Sequence, residues 1–198
     1  MAFPLSDGYH LLPPGKMAAV VTWLEMRSRP QPGPALPPGF ELVPRPSPEP
    51  AEYLALFRAI GEPWLWFGRL RSSPEELRGL LTQEGVEVFH LVCGGEAVGL
   101  LEMNREAGGE VEIAYFGLVP QWAGRGLGAA FMSAALELAW RPDTRRVWLH
   151  TCTFDHPAAL RFYRKAGFQP YQRGLEIFDD PRLHGLLARD TAPEVPLL

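Results

Sequence analysis

Residues 122–131 read WAGRGLGAAF, with Gly124, Gly126 and Gly128 at alternate positions between an apolar run ending at Pro120 and an alanine-rich run of helical spacing. Glycine lets a backbone approach a ligand with no side chain in the way, and a helix start behind it offers unpaired N–H groups and a positive dipole end. The stretch therefore reads as a phosphate cradle, with the N–H groups of residues 124 to 129 as donors. A strand, a glycine turn, a helix and another strand also form one right-handed crossover unit at the end of an antiparallel meander.

That meander is legible upstream. VEVFHLVC, AVGLLEMN and VEIAYFGLVP are three β-rich runs separated by the turns GGE and REAGG, at hairpin spacing. Before them, AEYLALFRAIG places Tyr53, Leu56, Phe57 and Ile60 on one helical face and stops at Gly61. SPEELRGLL opens a second helix, with Ser73 and Glu76 at capping-box spacing and Pro74 at the first helical position. The proline-rich first 50 residues carry two strand candidates, 19–26 and 39–43. After the glycine turn, Leu127, Phe131, Ala135 and Leu138 follow helical spacing, then RRVWLHTCTF reads as a strand, PAALRFYRKAG as a helix and FQPYQRGLEIF as a last strand.

Two nucleotide readings of the loop fit poorly. Gly124, Gly126 and Ala129 satisfy G-x-G-x-x-G/A, but that fingerprint belongs to the first strand of a repeated βαβ sheet, not to the end of a meander. No Gly-Lys-Ser/Thr follows, so the loop is not a Walker sequence.

At 198 residues, 46% hydrophobic and 21% charged, the chain can bury a sizeable core. A net charge of −4 without a Lys/Arg block argues against nucleic acid as a partner. No apolar run approaches the length of a membrane helix, and MAFPLSDGYH lacks the marks of a secretory leader, so a cytoplasmic protein without a membrane partner is expected. Cys93 and Cys152 lie in separate apolar runs and read as reduced core thiols, and His90, His150 and His156 lack metal spacing, so no metal is expected.

The block VEIAYFGLVPQWAGRGLGAAFM, followed by DHPAALRFYRKAGF, resembles the GNAT superfamily of acetyl-CoA-dependent N-acetyltransferases over residues 97–168. The resemblance implies a mixed α/β (α+β) fold, with a mostly antiparallel central sheet splayed at the cofactor site and helices on both faces. Acetyl-CoA is the implied co-substrate. Pro120, Gly126 and Gly128 match the family's loop, with Arg125 at a variable position and Ala123 where Gln or Arg is usual. With Gly124, Leu127 and Ala129 these residues make up the implied pyrophosphate site. Leu118 and Val119 fall where the family's backbone pairs with the pantetheine arm. In the second block Ala159, Phe162 and Tyr163 match, and His156 stands where Asn is common. These too are implied cofactor contacts.

An alkylammonium acceptor, with a pKa of about 10.4, must lose a proton before it can attack a thioester. Glu112 occupies the position of the general base in some members of the family, and Glu102 on the preceding strand is its rival. Tyr163 falls where the family places the acid for the leaving thiolate. Trp64, Trp66 and Phe67, in the aromatic connection PWLWFGR, either wall an apolar acceptor pocket or cap the core.

The expectation is an N-acetyltransferase that moves an acetyl group to a primary amine, of a small molecule, by direct attack in a ternary complex. A silent CoA-binding module and a protein N-terminus or lysine acetyltransferase are the alternatives, and a homodimer is left open. The expected organisation is an N-terminal extension (1–35) packed on a GNAT domain (36–180), followed by a C-terminal tail (181–198).

Overall fold

The computed structural model describes residues 6–198; residues 1–5 of the expected extension lie outside the described range. In chain order the elements are β1 (Lys16–Met26), β2 (Phe40–Pro44), α1 (Pro50–Gly61), α2 (Pro74–Leu81), β3 (Val86–Cys93), β4 (Glu96–Glu106), β5 (Glu110–Leu118), α3 (Leu127–Ala139), β6 (Arg146–Cys152), α4 (Ala159–Lys165) and β7 (Gln169–Asp179). They build one seven-stranded sheet in the order β2-β3-β4-β5-β6-β1-β7.

Local chemistry accounts for most of these elements. Tyr53, Leu56, Phe57 and Ile60 are buried on one face of α1. The α2 capping box is complete, with Ser73 Oγ accepting from the Glu76 N–H at 3.3 Å and the Glu76 carboxylate accepting from the Ser73 N–H at 2.7 Å. Gly94–Gly95 and Gly108–Gly109 turn the meander with positive φ angles, as tight hairpins require. The aromatic connection after α1 is not strand-like, as its β-rich composition suggests, but two 3₁₀ turns, Glu62–Trp64 and Gly68–Arg71.

The sheet consists of two antiparallel halves, β2–β5 and β6-β1-β7, joined by a parallel pair of only three positions, from Glu110↔Arg146 to Glu112↔Trp148. Beyond Glu112 the halves diverge. The register shift between Glu102 and Met103 leaves Ala114 without a partner on β4, and such a bulge bends and twists its strand, here β5, just where the parallel pairing stops.

Helices cover both faces. One core packs α3 against Leu24, Leu101, Met103, Val147 and Phe168, and the other packs α1 and α2 against Met17, Ala19, Leu100 and Phe178. Leu187 and Ala192 of the C-terminal segment join the second core. Arg182 holds that segment, pairing with Asp180 at 2.7 Å and donating to the carbonyls of Thr191 and Val195. The first strand is integral to the sheet: β1 pairs with β6 on one side and β7 on the other, so a boundary at residue 35 would cut through it. No helix among the described residues is long and apolar enough to cross a membrane.

Candidate functional site

The glycine loop leads into α3 as a cradle. Gly124 and Gly126 have φ of 74° and 82°, and a Cβ on either would meet open space, so backbone conformation and not crowding demands glycine there. Gly128 differs: it lies in the first turn of α3 and its Cβ would sit 3.5 Å from the Phe162 ring, an ordinary contact. Ala123 N–H donates to Pro120 O at 3.2 Å and Ala129 N–H to Gly126 O at 3.3 Å. Among the described residues nothing accepts from the N–H groups of Gly124, Arg125, Gly126, Leu127 or Gly128, which leaves five donors around the helix start. Arg125 holds its guanidinium 5.7 Å from the Trp122 ring. A set of free amides at a helix N-terminus with open space above two glycines fits a pyrophosphate.

The splay provides the second half. Past Glu112 the β5 edge facing β6 is unpaired, so Leu118 can offer main-chain groups to an extended ligand. Val119 is already engaged, since its N–H donates to Val98 O at 3.0 Å and its carbonyl accepts from Trp122 at 2.9 Å. A column of aromatic rings closes the base of the cleft: Phe116 stacks on Phe131 at 4.5 Å and on Phe162 at 5.9 Å. His156 Nδ1 accepts from the Ala158 N–H at 3.0 Å at the start of α4, so the proton of the neutral ring is on Nε2. Its ring lies 4.8 Å from Trp64.

Beside the splay lies a cavity of about 220 Å³. The aromatic connection roofs it with Trp64, Trp66 and Phe67, and the β5 backbone from Ile113 to Phe116 forms one wall, while His150, Glu176 and Tyr163 bring polar groups to it. The roof fits closely: a Cβ on Gly61 would overlap the Trp66 indole, one on Gly117 would overlap Ile60, and one on Gly68 would overlap the Tyr115 hydroxyl. Two polar anchors hold it. Trp66 Nε1 donates to Asp155 at 3.1 Å, and Asp155 also accepts from Thr151 Oγ1 at 2.6 Å and Cys152 N at 2.8 Å. Arg69 forms an ion pair with Glu102.

That pair decides where Glu102 belongs. Its side chain is fully buried, it accepts from Tyr53 at 2.5 Å as well as from Arg69, and it does not line the cavity. A carboxylate so held is an anchor for the roof, and a poor proton acceptor for a ligand it does not face. Glu112 lies elsewhere, on the open face of β5, where it accepts from Asn104 Nδ2 at 2.9 Å and stands 3.9 Å from His150 Nδ1. His150, not Glu112, reaches the cavity wall.

Tyr163 reaches the same cavity from α4, its ring edge-on to Phe162 at 5.3 Å. Among the described residues its hydroxyl has no hydrogen-bond partner. Burial, with the Asp155 carboxylate adding to it, raises the hydroxyl pKa well above the ordinary tyrosine range. Burial also pushes the Cys152 thiol up to about 11. Sequence reading missed Asp155 and the Glu112–His150 proximity, since the first is spaced like a turn residue and the second depends on the pairing of β5 with β6.

Residues 52–168 match the family described as Acetyltransferase (GNAT) family. The chain belongs to the GNAT acetyltransferase family. Among solved structures, a GCN5-related N-acetyltransferase from Sphaerobacter thermophilus is 24% identical with a TM-score of 0.61, covering 83% of this chain and 53% of that one. A GCN5-related N-acetyltransferase from Kribbella flavida is 20% identical with a TM-score of 0.54, covering 86% and 63%. A tandem GNAT protein from the clavulanic acid biosynthesis pathway is 21% identical with a TM-score of 0.57, covering 82% and 53%. This chain therefore spans between half and two thirds of the length of these three proteins. No curated protein sequence matches it.

Proposed function

We propose that the chain transfers an acetyl group from acetyl-CoA to the primary amine of a small molecule, by direct attack within a ternary complex. Acetyl-CoA, when bound, supplies the acetyl group as an activated thioester. The five free amides from Gly124 to Gly128 would hold its pyrophosphate, and the unpaired β5 edge at Leu118 its pantetheine arm.

The observation that carries the reading is the Tyr163 hydroxyl, unpartnered among the described residues and lining the same cavity as His150. Tyr163 holds a proton at Oη for a departing thiolate. His150 takes the ammonium proton at Nε2, and Glu112 behind it steadies the imidazolium, so that Glu112 serves as base through the ring and not by contact. Cys152 remains a thiol at neutral pH, which favours direct transfer over an acyl-enzyme. The cavity, at about 220 Å³, is smaller than the roughly 300–1,000 Å³ of sites for drug-sized ligands, which favours a small amine over a peptide.

The test titrates the full chain with acetyl-CoA, then follows thiol release over a panel of primary amines and lysine or N-terminal peptides. Release with small amines alone supports the proposal. Binding without release for any acceptor identifies a silent CoA-binding module, and release with peptides alone a protein acetyltransferase.

A further inference from the structure

The cavity beside the splay keeps two opposite charges apart. Arg71 ends the 3₁₀ turn Gly68–Arg71 in the roof, Glu176 stands on β7, and both line the cavity. Neither forms an ion pair or a side-chain hydrogen bond among the described residues. The other ionisable side chains of the wall are engaged: Asp155 accepts three hydrogen bonds, Cys152 is a neutral thiol, the Tyr115 hydroxyl abuts Gly68, and His150 and Tyr163 serve the proton transfers. Aromatic rings separate the two free charges. The Arg71 guanidinium lies 4.2 Å over the Phe67 ring, Phe67 packs on Phe178 at 4.8 Å, and Phe178 is two residues from Glu176 on the same face of β7.

We propose that the acceptor is a short amino acid in which an apolar chain separates the primary amine from a carboxylate. Arg71 binds the carboxylate, Phe67 and Phe178 flank the chain, and Glu176 draws in the ammonium that His150 deprotonates. The inference rests on the small-amine reading above and narrows its acceptor to one class.

The signs of the two groups decide the class. A plain alkylamine would leave Arg71 unmatched, and a diamine would turn its second ammonium towards that guanidinium. A carboxylate is the group that an arginine with free N–H edges pairs with by parallel hydrogen bonds, and stacking on Phe67 holds the fork in plane. Arg69, in the same connection, is taken up by Glu102, so Arg71 is the cation left for a ligand among the cavity's lining residues. At the other end, an acceptor amine arrives as the ammonium ion, and an unpaired carboxylate attracts it. The ring row sets the spacing. An α-amino acid carries both charges on neighbouring atoms and cannot reach across Phe67 and Phe178, whereas a chain with its charges at opposite ends can. At about 220 Å³ the cavity limits that chain to a short one.

The test follows thiol release from acetyl-CoA by the full chain with δ-aminovalerate, pentylamine and cadaverine, which share a five-carbon chain and end, away from the reacting amine, in an anion, a methyl group and a cation. In the parent, kcat/KM for δ-aminovalerate should exceed that for pentylamine by about tenfold, the size of one hydrogen bond to a charged group, and cadaverine should be the poorest. Leucine, with its charges adjacent, should fall below δ-aminovalerate. Arg71 and Glu176 are both exposed, so the fold tolerates their replacement. Arg71→Gln should remove the preference for δ-aminovalerate over pentylamine, and Arg71→Lys should keep part of it. Glu176→Gln should raise KM for all three amines by similar factors, because each brings an ammonium. Equal kcat/KM for δ-aminovalerate and pentylamine in the parent, a preference that survives Arg71→Gln, or an unchanged KM in Glu176→Gln overturns the proposal. A preference for cadaverine that Glu176→Gln abolishes also overturns it, by showing that the cavity reads a second cation. Release with other small amines but with none of these three removes the proposal and leaves the small-amine reading standing, and no release with any small amine overturns both.

Discussion

The indole Nε1 of Trp66 donates to the carboxylate of Asp155 at 3.1 Å and so ties the connection after α1 to the loop before α4, the two segments that face each other across the cavity. Asp155→Asn supplies one acceptor oxygen where three donors now converge, so at least one loses its partner, at a cost of about 1–3 kcal/mol. The melting temperature should fall, and KM for the acceptor should rise more than KM for acetyl-CoA. A larger rise in KM for acetyl-CoA than for the acceptor would show that the roof serves the cofactor and not the acceptor.

Tyr163→Phe keeps the ring and its packing on Phe162 and Phe168 and removes one oxygen. Acetyl-CoA affinity should stay within a few-fold of the parent, while single-turnover acetyl transfer slows by about 10²–10⁴, the range for loss of a general acid. Parent-like single-turnover rates in a variant with an unchanged melting temperature would reduce Tyr163 to a packing residue.

If His150 accepts the proton and Glu112 steadies it, His150→Gln and Glu112→Gln should both lower kcat with little effect on acetyl-CoA affinity. Each loss should recover in part at high pH, where more of the amine is already neutral. The double variant should lose little more than either single one, because the residues act as a unit. Additive losses would separate them. A comparable kinetic loss in Glu102→Gln, with stability unchanged, would return the base role to Glu102.

The two kinds of glycine in the loop predict opposite outcomes. Gly126→Ala places a Cβ on a residue with φ of 82° and should cost about 1–2 kcal/mol of stability. Gly128→Ala fits its space and should leave the melting temperature unchanged. Gly128→Asp should abolish CoA binding through charge repulsion at the pyrophosphate while the protein stays folded. Undiminished CoA affinity in Gly128→Asp would remove the phosphate-loop reading.

Burial pushes the Tyr115 hydroxyl up to about 12 and also raises those of Tyr53 and Tyr163 above the ordinary tyrosine value of about 10. Above pH ~10 the unfolded chain begins to lose these protons while the folded chain retains them. Stability is therefore undiminished by these groups below about pH 10 and falls as pH rises from there towards 12, by up to about 1.4 kcal/mol per pH unit for each phenol. Tyr115→Phe should make this alkaline limb shallower in urea melts. An unaltered limb would mean that the Tyr115 hydroxyl ionises as freely in the folded protein as in the unfolded one.

What the sequence discloses here is what neighbouring residues decide. The Ser73–Glu76 cap, the Gly94–Gly95 turn and the glycine loop are each settled within a few positions of chain, and each can be read directly. Glu102 shows why the rest is harder. It stands in an apolar run, AVGLLEMN, in which an acid suggests either a solvent-facing strand position or a site, and only the arrival of Arg69 and Tyr53 on the sheet turns it into a buried anchor. Asp155 gains its role from Trp66, 89 residues away. The seating of β1 between β6 and β7 leaves no trace in its own residues, since a strand buried on two edges has the same alternation wherever it is inserted.

That seating sets an order of events for folding. β1 pairs Val21 with Cys152 and with Gly174, so the first strand to be synthesised waits for the last two before it has any partner in the sheet. The β2–β5 meander can zip up from local hairpins, while the half that holds His150 closes only when both ends of the chain meet, which is slow because distant segments must find each other. During synthesis residues 16–26 are an unpaired apolar strand until Arg146–Cys152 has emerged, and one edge stays open to aggregation or chaperone capture until Gln169–Asp179 follows.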